Sequence, residues 1–231
     1  MPDGRAVQLK VVELGDLHVE SGQLGACDPF VNLDEPVVVS IVPGSYPVRV
    51  TIADVSEAQD GSHLREAYLS VVLSDAEAAA VEAAPSRDGV PEPGFYWGVP
   101  VDAGTVGFVD AEAVVRCMPG PDSDWYADVF DNDTPDAWFA QMDREGPQPA
   151  GAANIVLPLA TRDENLILTH SGWGDGFYPV TRTLAADGTV TAIHIDLQVV
   201  GPPEEEEPPA PSKSQPTTPQ RGLARLFRRN R

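Results

Sequence analysis

Short apolar segments with the periodicity of β-strands recur along the chain. Residues 37–42 (VVVSIV) are β-branched and nearly continuous, as in a strand covered on both faces, and a Pro-Gly pair ends the segment. Residues 46–53 alternate instead, which places Val48, Val50 and Ile52 on one side of a half-buried strand. Because the two segments are so close in sequence, they predict a β-hairpin.

Strand-like patterns continue to the end of the apolar sequence, and helical patterns are few. The further strand-like segments are residues 67–73, 106–109, 152–160, 165–170, 177–184 and 189–200. Asp187-Gly188 predicts a hairpin turn between the last two. The Ala-rich residues 75–84 predict a short helix or an exposed loop, and residues 111–116 predict a helix. The predicted fold class is therefore α+β, a predominantly antiparallel β-sheet with a few short helices.

The composition changes near residue 200, which divides the chain into three parts. Residues 1–200 have the composition of a single globular domain. Residues 201–220 are rich in Pro, Glu, Ser, Thr and Gln and predict a disordered linker at the start of a disordered C-terminal tail, because they cannot bury enough apolar surface to fold.

Residues 221–231 predict a basic amphipathic peptide. Leu223, Leu226 and Phe227 follow the i, i+3, i+4 spacing of one helical face, beside Arg228 and Arg229. So short a segment is not a stable helix alone. It could fold against the groove of a protein partner, against an anionic surface or back onto its own acidic domain, or it could be an inert basic terminus.

The charge balance restricts the partners of the domain. The chain has 36 acidic and 15 basic residues; residues 201–231 hold four Glu, one Lys and five Arg, which leaves 32 acidic and nine basic residues in the body, a net charge of −23. Such a body repels nucleic acid and anionic lipid, whereas a cationic partner suits it; acidity also favours solubility. No apolar leader or membrane-length apolar run is present, so we expect a soluble cytoplasmic protein without a transmembrane segment.

Two glycine-bearing turns carry the candidate chemistry. In residues 171–176 (SGWGDG), three glycines alternate with Trp173 and Asp175, which predicts a rigid loop that displays both side chains. Asp102 lies in a second such turn, residues 101–105 (VDAGT). We hypothesise that Asp102 and Asp175 converge in one cleft as an acid and base or as cation ligands. The alternative is that each carboxylate accepts backbone N–H bonds in its own turn.

Two other aspartates have local interpretations. Asp28 precedes a proline and is predicted to form a turn by bonding to its own backbone, with a role in a functional site as the lesser alternative. Asp110 begins the predicted helix, where its carboxylate would accept hydrogen bonds from the first turn as an N-cap. Cys27 and Cys117 are 90 positions apart, match no metal-ligand spacing, and are predicted to be buried thiols.

Signatures of metal and cofactor sites are incomplete. Asp131 and Asp133 suggest a calcium loop, but the sixth and twelfth positions hold Asp136 and Met142 instead of glycine and glutamate. His194 could bind a metal together with Asp196, but no third ligand is identifiable. No nucleophile elbow, phosphate-binding loop or dinucleotide fingerprint occurs, so no metal site and no cofactor is predicted.

The order of the motifs is similar to that of a known family. The motifs that carry the similarity are residues 22–29 (GQLGACDP), Pro43-Gly44 followed by residues 46–48 (YPV), residues 101–105 with Asp110, and residues 171–176. Over most of residues 12–200 the chain resembles the bacterial domain-of-unknown-function family 4241. The resemblance implies one globular domain and makes Asp102, Asp110, Trp173 and Asp175 the first candidates for a binding site. It implies no mechanism, since the family carries no established activity.

Three functions are compatible with these features. The hypothesis we favour is a protein-binding or regulatory module whose recognition surface holds Trp173, Asp175 and Asp102, with the basic peptide engaging a second partner. The alternatives are a hydrolase or metal-dependent enzyme that uses Asp102 and Asp175, and an acidic immunity-type or inhibitor protein, which rests on net charge alone. An enzyme needs a concave pocket with converging carboxylates, whereas a binding module needs an exposed aromatic and charged patch.

Overall fold

The structure, a computed structural model, describes residues 6–201; the predicted linker beyond Gly201 and the basic peptide at residues 221–231 lie outside this range. The described range contains strands β1 (Leu9–Val19), β2 (Gln23–Cys27), β3 (Val37–Ser40), β4 (Gly44–Asp54), β5 (Leu64–Val72), β6 (Ala78–Ala83), β7 (Gly98–Val101), β8 (Thr105–Asp110), β9 (Ala153–Val156), β10 (Asn165–His170), β11 (Gly176–Ala185) and β12 (Val190–Asp196). Its helical elements are α1 (Ala111–Cys117), a π-helical turn (Tyr126–Phe130) and α2 (Trp138–Met142).

The strands form two sheets in which every pairing is antiparallel. The seven-stranded sheet has the order β1-β4-β5-β12-β11-β6, and β7 pairs with the other end of β11. The five-stranded sheet has the order β3-β2-β8-β10-β9. The predicted α+β class with a predominantly antiparallel sheet and a few short helices is confirmed.

The five-stranded sheet is buried on both faces. Phe108 and Ile167 face the seven-stranded sheet in one apolar cluster, while their neighbours Val109 and Leu168 face α1, α2 and the π-helical turn in a second cluster. A strand with two buried faces does not need to alternate apolar and polar residues, which explains the three consecutive apolar residues Leu166, Ile167 and Leu168 at the centre of β10. The seven-stranded sheet buries only one face, and the alternation of Val48, Val50 and Ile52 in β4 follows from this arrangement, as predicted.

Two predicted features are wrong. β3 and β4 do not form a hairpin: β3 pairs with β2, while β4 pairs with β1 and β5, so the chain crosses between sheets at Pro43. Residues 75–84 do not form a helix or an exposed loop throughout, because residues 78–83 form β6, which adds to β11 as an edge strand. Backbone pairing with an existing strand outweighs the helix propensity of alanine here.

Other predictions are confirmed. β11 and β12 form the hairpin with its turn at Asp187-Gly188, and Cys27 and Cys117 are free, buried thiols. Burial raises the pKa of the Cys27 thiol, and the adjacent Asp28 carboxylate raises it further, so this thiol stays protonated. Between residues 6 and 201 no helix is both long enough and apolar enough to cross a membrane.

Candidate functional site

The strand pairing brings the two glycine-bearing turns together. Residues 102–104 connect β7 to β8, and residues 171–175 connect β10 to β11. Because β7 pairs with β11 and β8 pairs with β10, both loops cross from one sheet to the other side by side. The Ser171 N–H donates to the Gly104 carbonyl at 3.0 Å, which joins the loops directly. We call residues 102–104 and 171–175 the loop pair.

The register places the two candidate aspartates at matching positions. The last residues paired between β7 and β11 are Val101 and Gly176, so Asp102 and Asp175 each stand one residue beyond this pair, on facing strands. Both aspartates are exposed to solvent. The structure therefore brings the two carboxylate-bearing loops to one edge of the molecule.

Glycines hold the loop pair in a backbone conformation that other residues rarely adopt. Gly104, Gly172 and Gly174 have φ values of +64°, +72° and +93°. A Cβ on Gly172 would also overlap the Glu66 carbonyl oxygen of β5, so this glycine is required by packing as well as by its φ. A Cβ on Gly174 would meet nothing, and its glycine is required by backbone conformation alone.

Hydrogen bonds from beneath the loop make residues 171–175 rigid. The Ser171 hydroxyl and the Tyr178 hydroxyl both donate to the Gly174 carbonyl, at 2.6 and 2.8 Å. Burial raises the pKa of Tyr178, the Ser171 hydroxyl opposes that shift, and the Asp175 charge adds to it, so Tyr178 remains a neutral donor. Ser171 and Tyr178 are both buried, and the loop is thus fixed from the protein side while Trp173 and Asp175 face outwards.

A fully buried aspartate fixes the other loop. The Asp28 side chain is 0% exposed; it accepts hydrogen bonds from the backbone N–H groups of Asp102 at 3.0 Å and Ala103 at 2.8 Å, and from the Thr105 hydroxyl at 2.8 Å. It also accepts a bond from the Phe30 N–H at 3.2 Å, the local turn predicted for it. The sequence did not predict that Asp28 anchors the loop at residues 102–104. A Cys-Asp-Pro turn does not indicate which distant backbone groups donate hydrogen bonds to the second carboxylate oxygen.

Trp173 is held in place although half of its surface is exposed. Its side chain is 50% exposed, and the Arg65 guanidinium lies over the ring at 5.5 Å from the centroid. The His63 ring packs edge-on against it at 6.3 Å between centroids. Phe177, two residues beyond Asp175, is 51% exposed and stacks on Tyr96 at 6.0 Å. Sequence analysis did not include Arg65 or Phe177 among the site residues. Only Phe177 could have been identified from the sequence, because it lies two residues after Asp175.

The carboxylates of Asp102 and Asp175 do not form the turn hydrogen bonds that were the alternative interpretation. Neither accepts a hydrogen bond or forms an ion pair within the described part of the chain, whereas the N–H of Asp102 bonds to Asp28. The turn-bonding interpretation is therefore wrong for both residues. Their carboxylates are left for solvent or for a binding partner.

Asp110 has a structural role. It caps α1, as predicted: the carboxylate accepts hydrogen bonds from the N–H groups of Glu112 at 2.9 Å and Ala113 at 3.2 Å. It also accepts bonds from the N–H and hydroxyl of Ser21 and is 1% exposed. These four bonds occupy the carboxylate and connect the β1–β2 turn to the helix.

A separate polar group lies on the open face of the seven-stranded sheet. His194 is placed between the Ser70 hydroxyl, 2.7 Å from Nδ1, and the Thr183 hydroxyl, 3.1 Å from Nε2. Burial lowers the pKa of His194 to about 4, and burial raises the pKa of Asp196 on the same face. The imidazole is therefore neutral near pH 7, where it links neighbouring strands through hydroxyl groups.

Within the described residues, neither the main cavities nor a cluster of metal ligands coincides with the loop pair. Cavities of about 670, 400, 390, 370 and 250 Å³ open elsewhere on the domain, and none of these five is lined by Asp102, Trp173 or Asp175. Within residues 6–201, no three His, Cys, Asp or Glu side chains are grouped as metal ligands would be. The candidate residues of the loop pair are exposed and belong to none of these five cavities.

Comparison with known proteins gives a family without a described activity. No curated protein and no solved structure matches the chain. One family model, described as a protein of unknown function (DUF4241), matches residues 17–195, which is well over half of the chain and includes both loops of the pair. The resemblance based on the motifs is confirmed, and the chain belongs to the DUF4241 family.

Proposed function

We propose that this domain is a protein-binding module and that the loop pair is its recognition surface. The observation that carries the proposal is the half-exposed Trp173 on a rigid loop, with the exposed carboxylates of Asp102 and Asp175 nearby. Exposed tryptophans on fixed backbones are typical of interaction hot spots, because they bury a large area at little cost in conformational entropy.

The chemistry of the surface favours a cationic partner segment. The carboxylates of Asp102 and Asp175 have unoccupied acceptor positions, and the Trp173 ring already holds one guanidinium, from Arg65. A body charge of −23 attracts a basic partner at long range. Lysine or arginine side chains of a partner would pair with both aspartates while an apolar neighbour covers the indole.

The geometry gives less support to the two alternatives. A hydrolase or metal-dependent enzyme based on Asp102 and Asp175 would need a concave site, and neither residue lines any of the five cavities described above. An acidic immunity-type or inhibitor protein remains a special case of binding, in which the basic partner is a toxic or enzymatic target. Such charge-steered binding would weaken steeply as salt rises.

The proposal is tested by selecting peptides from a random display library on the immobilised full chain. We expect selected peptides to be enriched in Lys and Arg. Calorimetry should show that Trp173→Ala weakens their binding about 10-fold or more, since a buried indole contributes more than about 1.4 kcal/mol. The double variant Asp102→Asn/Asp175→Asn should weaken binding by a comparable factor.

The matched control is Tyr126→Ala, which removes a 57% exposed aromatic side chain in the π-helical turn, outside the loop pair. It should leave the affinity of the selected peptides unchanged. Peptides that bind Trp173→Ala as tightly as the native chain, or a selection without basic residues, would contradict the proposal.

A further inference from the structure

A second surface, unrelated to the loop pair, is an apolar cleft between the two sheets. A cavity of about 670 Å³ opens where β3 meets the ends of β5, β11 and β12. Its apolar lining includes Val39, Ile41, Val42, Leu73, Val190 and Ile193. The volume is within the range of about 300 to 1,000 Å³ that is typical of binding pockets. Val42 is 75% exposed at the rim, so the cleft presents apolar surface to solvent.

Acidic residues adjoin the lining of this cleft in sequence, whereas the exposed Arg87 and Asp88, which follow the lining residue Pro85, offset each other in charge. Arg182 lines the cavity, but its guanidinium is neutralised by Glu82, with 2.7 Å between Nε and Oε1. Asp187 accepts a hydrogen bond from the N–H of the lining residue Thr189 at 2.9 Å, and this backbone bond keeps the pKa of Asp187 below its usual value. Asp75 is exposed immediately after the lining residue Ser74. Asp75 and Asp187 leave the rim with unpaired negative charge.

The basic segment, residues 221–231, has the complementary chemistry. Leu223, Leu226 and Phe227 supply a narrow apolar stripe, and the segment holds five Arg and no acidic residue. Apolar side chains would fill the cleft while arginines meet the acidic rim.

The chain between Gly201 and residue 221 is long enough for the basic segment to reach the cleft. The described structure ends at Gly201, about 20 residues before the basic segment. A chain of about 20 residues can reach at most about 65 Å when fully extended. A domain of this size has a radius of gyration of only about 16 Å. Tethering at such distances gives an effective concentration in the millimolar range, so even a weak contact would be populated.

We propose that residues 221–231 dock in this cleft within the same chain, with the apolar stripe inside and the arginines on the rim. The domain then carries its own occupant for the cleft, and an outside partner for the cleft would compete with this internal ligand. The inference is independent of the function proposed for the loop pair, since it involves neither Trp173 nor Asp102.

Paramagnetic relaxation in the full chain tests the contact. A spin label is attached to the introduced thiol of Arg231→Cys, and the two natural thiols are too buried to react. We expect the spin label to broaden the amide signals of residues 39–46, 73–74 and 189–193. Each of these signals should have less than half of the intensity that it has after the label is reduced to its diamagnetic form. Signals of residues 102–104 and 173–175 should keep most of their intensity.

Matched variants locate the contact. Val42→Asp should abolish the broadening, whereas Val90→Asp, at an 82% exposed valine that does not line the cleft, should leave it unchanged. Leu226→Ser/Phe227→Ser should abolish it without altering charge, whereas Ala224→Ser, off the stripe, should not. Since Val42 and Val90 are both exposed, the two aspartate variants should keep the native amide spectrum elsewhere.

Three results would overturn the inference. The first is broadening that is absent, or centred on the loop pair. The second is broadening that survives Val42→Asp. The third is broadening of ¹⁵N-labelled chains by separate spin-labelled, unlabelled chains in a mixed sample, which would assign the occupant to a second copy.

Discussion

A single buried carboxylate determines where the loop of Asp102 lies. Asp28, which is 0% exposed, accepts bonds from two N–H groups of that loop and from the Thr105 hydroxyl. Hydrogen bonds to a buried charged acceptor are among the more stabilising ones, because a lost partner leaves the charge unsatisfied. The buried Asp28 thus positions the loop, whereas the exposed Asp102 is the aspartate that the loop presents to solvent.

Asp28→Asn is expected to lower the free energy of unfolding by about 2 to 4 kcal/mol. The variant keeps the size of the side chain but replaces one acceptor oxygen with an NH₂ group that faces other donors. Urea denaturation followed by circular dichroism measures the change. Asp102→Asn is the matched control, and its effect should stay within about 0.5 kcal/mol because its exposed carboxylate accepts no hydrogen bond in the described chain. Equal losses in both variants would show that Asp28 is not the anchor.

Strand β12 carries a neutral histidine, His194, on the open face of the seven-stranded sheet. His194 lies between hydroxyl groups of β5 and β11, and burial lowers its pKa from the usual 6.5 to about 4. The unfolded chain binds a proton at this histidine below pH 6.5, whereas the folded chain resists it down to about pH 4. Stability contributed by the neutral imidazole is therefore complete above pH 6.5 and is lost progressively between pH 6.5 and about 4.

We expect this histidine to account for a loss of about 3 kcal/mol between pH 7 and pH 4. His194→Gln cannot titrate, so the difference in unfolding free energy between the native chain and this variant should shift by that amount over the window. Chemical denaturation at several pH values provides the measurement. His170→Gln, at an exposed histidine outside this polar group, is the control for replacing a histidine as such. A native–variant difference that is independent of pH would exclude His194 as the titrating group.

The whole molecule is an acidic body with few compensating charges. Within residues 6–201 the ion pairs are Arg49–Glu13, Arg116–Glu112, Arg162–Glu20 and Arg182–Glu82, and most of their side chains are substantially exposed. Exposed pairs contribute little, typically below about 1 kcal/mol each. We therefore expect repulsion among the remaining carboxylates to outweigh the attraction within the pairs.

Added salt should consequently stabilise the domain. We expect the midpoint of urea unfolding to rise as NaCl is increased from low concentration to about 0.5 M, because screening weakens the self-repulsion of a body with a net charge of −23. The slope of free energy against urea should stay constant, since the surface exposed on unfolding does not change. A midpoint that falls with salt would mean that attractive ion pairs dominate.

The local sequence was sufficient for the features whose causes are local. The alternation in β4, the turn at Asp187-Gly188 and the helix cap at Asp110 each depend on neighbouring residues, and each was predicted correctly. The glycines at 172 and 174 likewise indicated a loop of unusual backbone conformation before the fold was known.

Strand partners and buried anchors depended on the tertiary structure. Residues 37–42 and 46–53 have strong strand patterns, but a pattern does not specify which sheet completes the hydrogen bonds, and the predicted hairpin between them does not form. The Ala-rich β6 is a strand only because β11 offers an edge.

The candidate site shows the same division. The sequence identified Asp102, Trp173 and Asp175, but the fold alone places their loops side by side and exposes the carboxylates, because β7 and β8 happen to pair with β11 and β10. The role of Asp28 requires contacts across more than 70 positions of sequence, which no local pattern contains. Sequence thus determined the residue types and local conformations, whereas long-range pairing decided which of them meet.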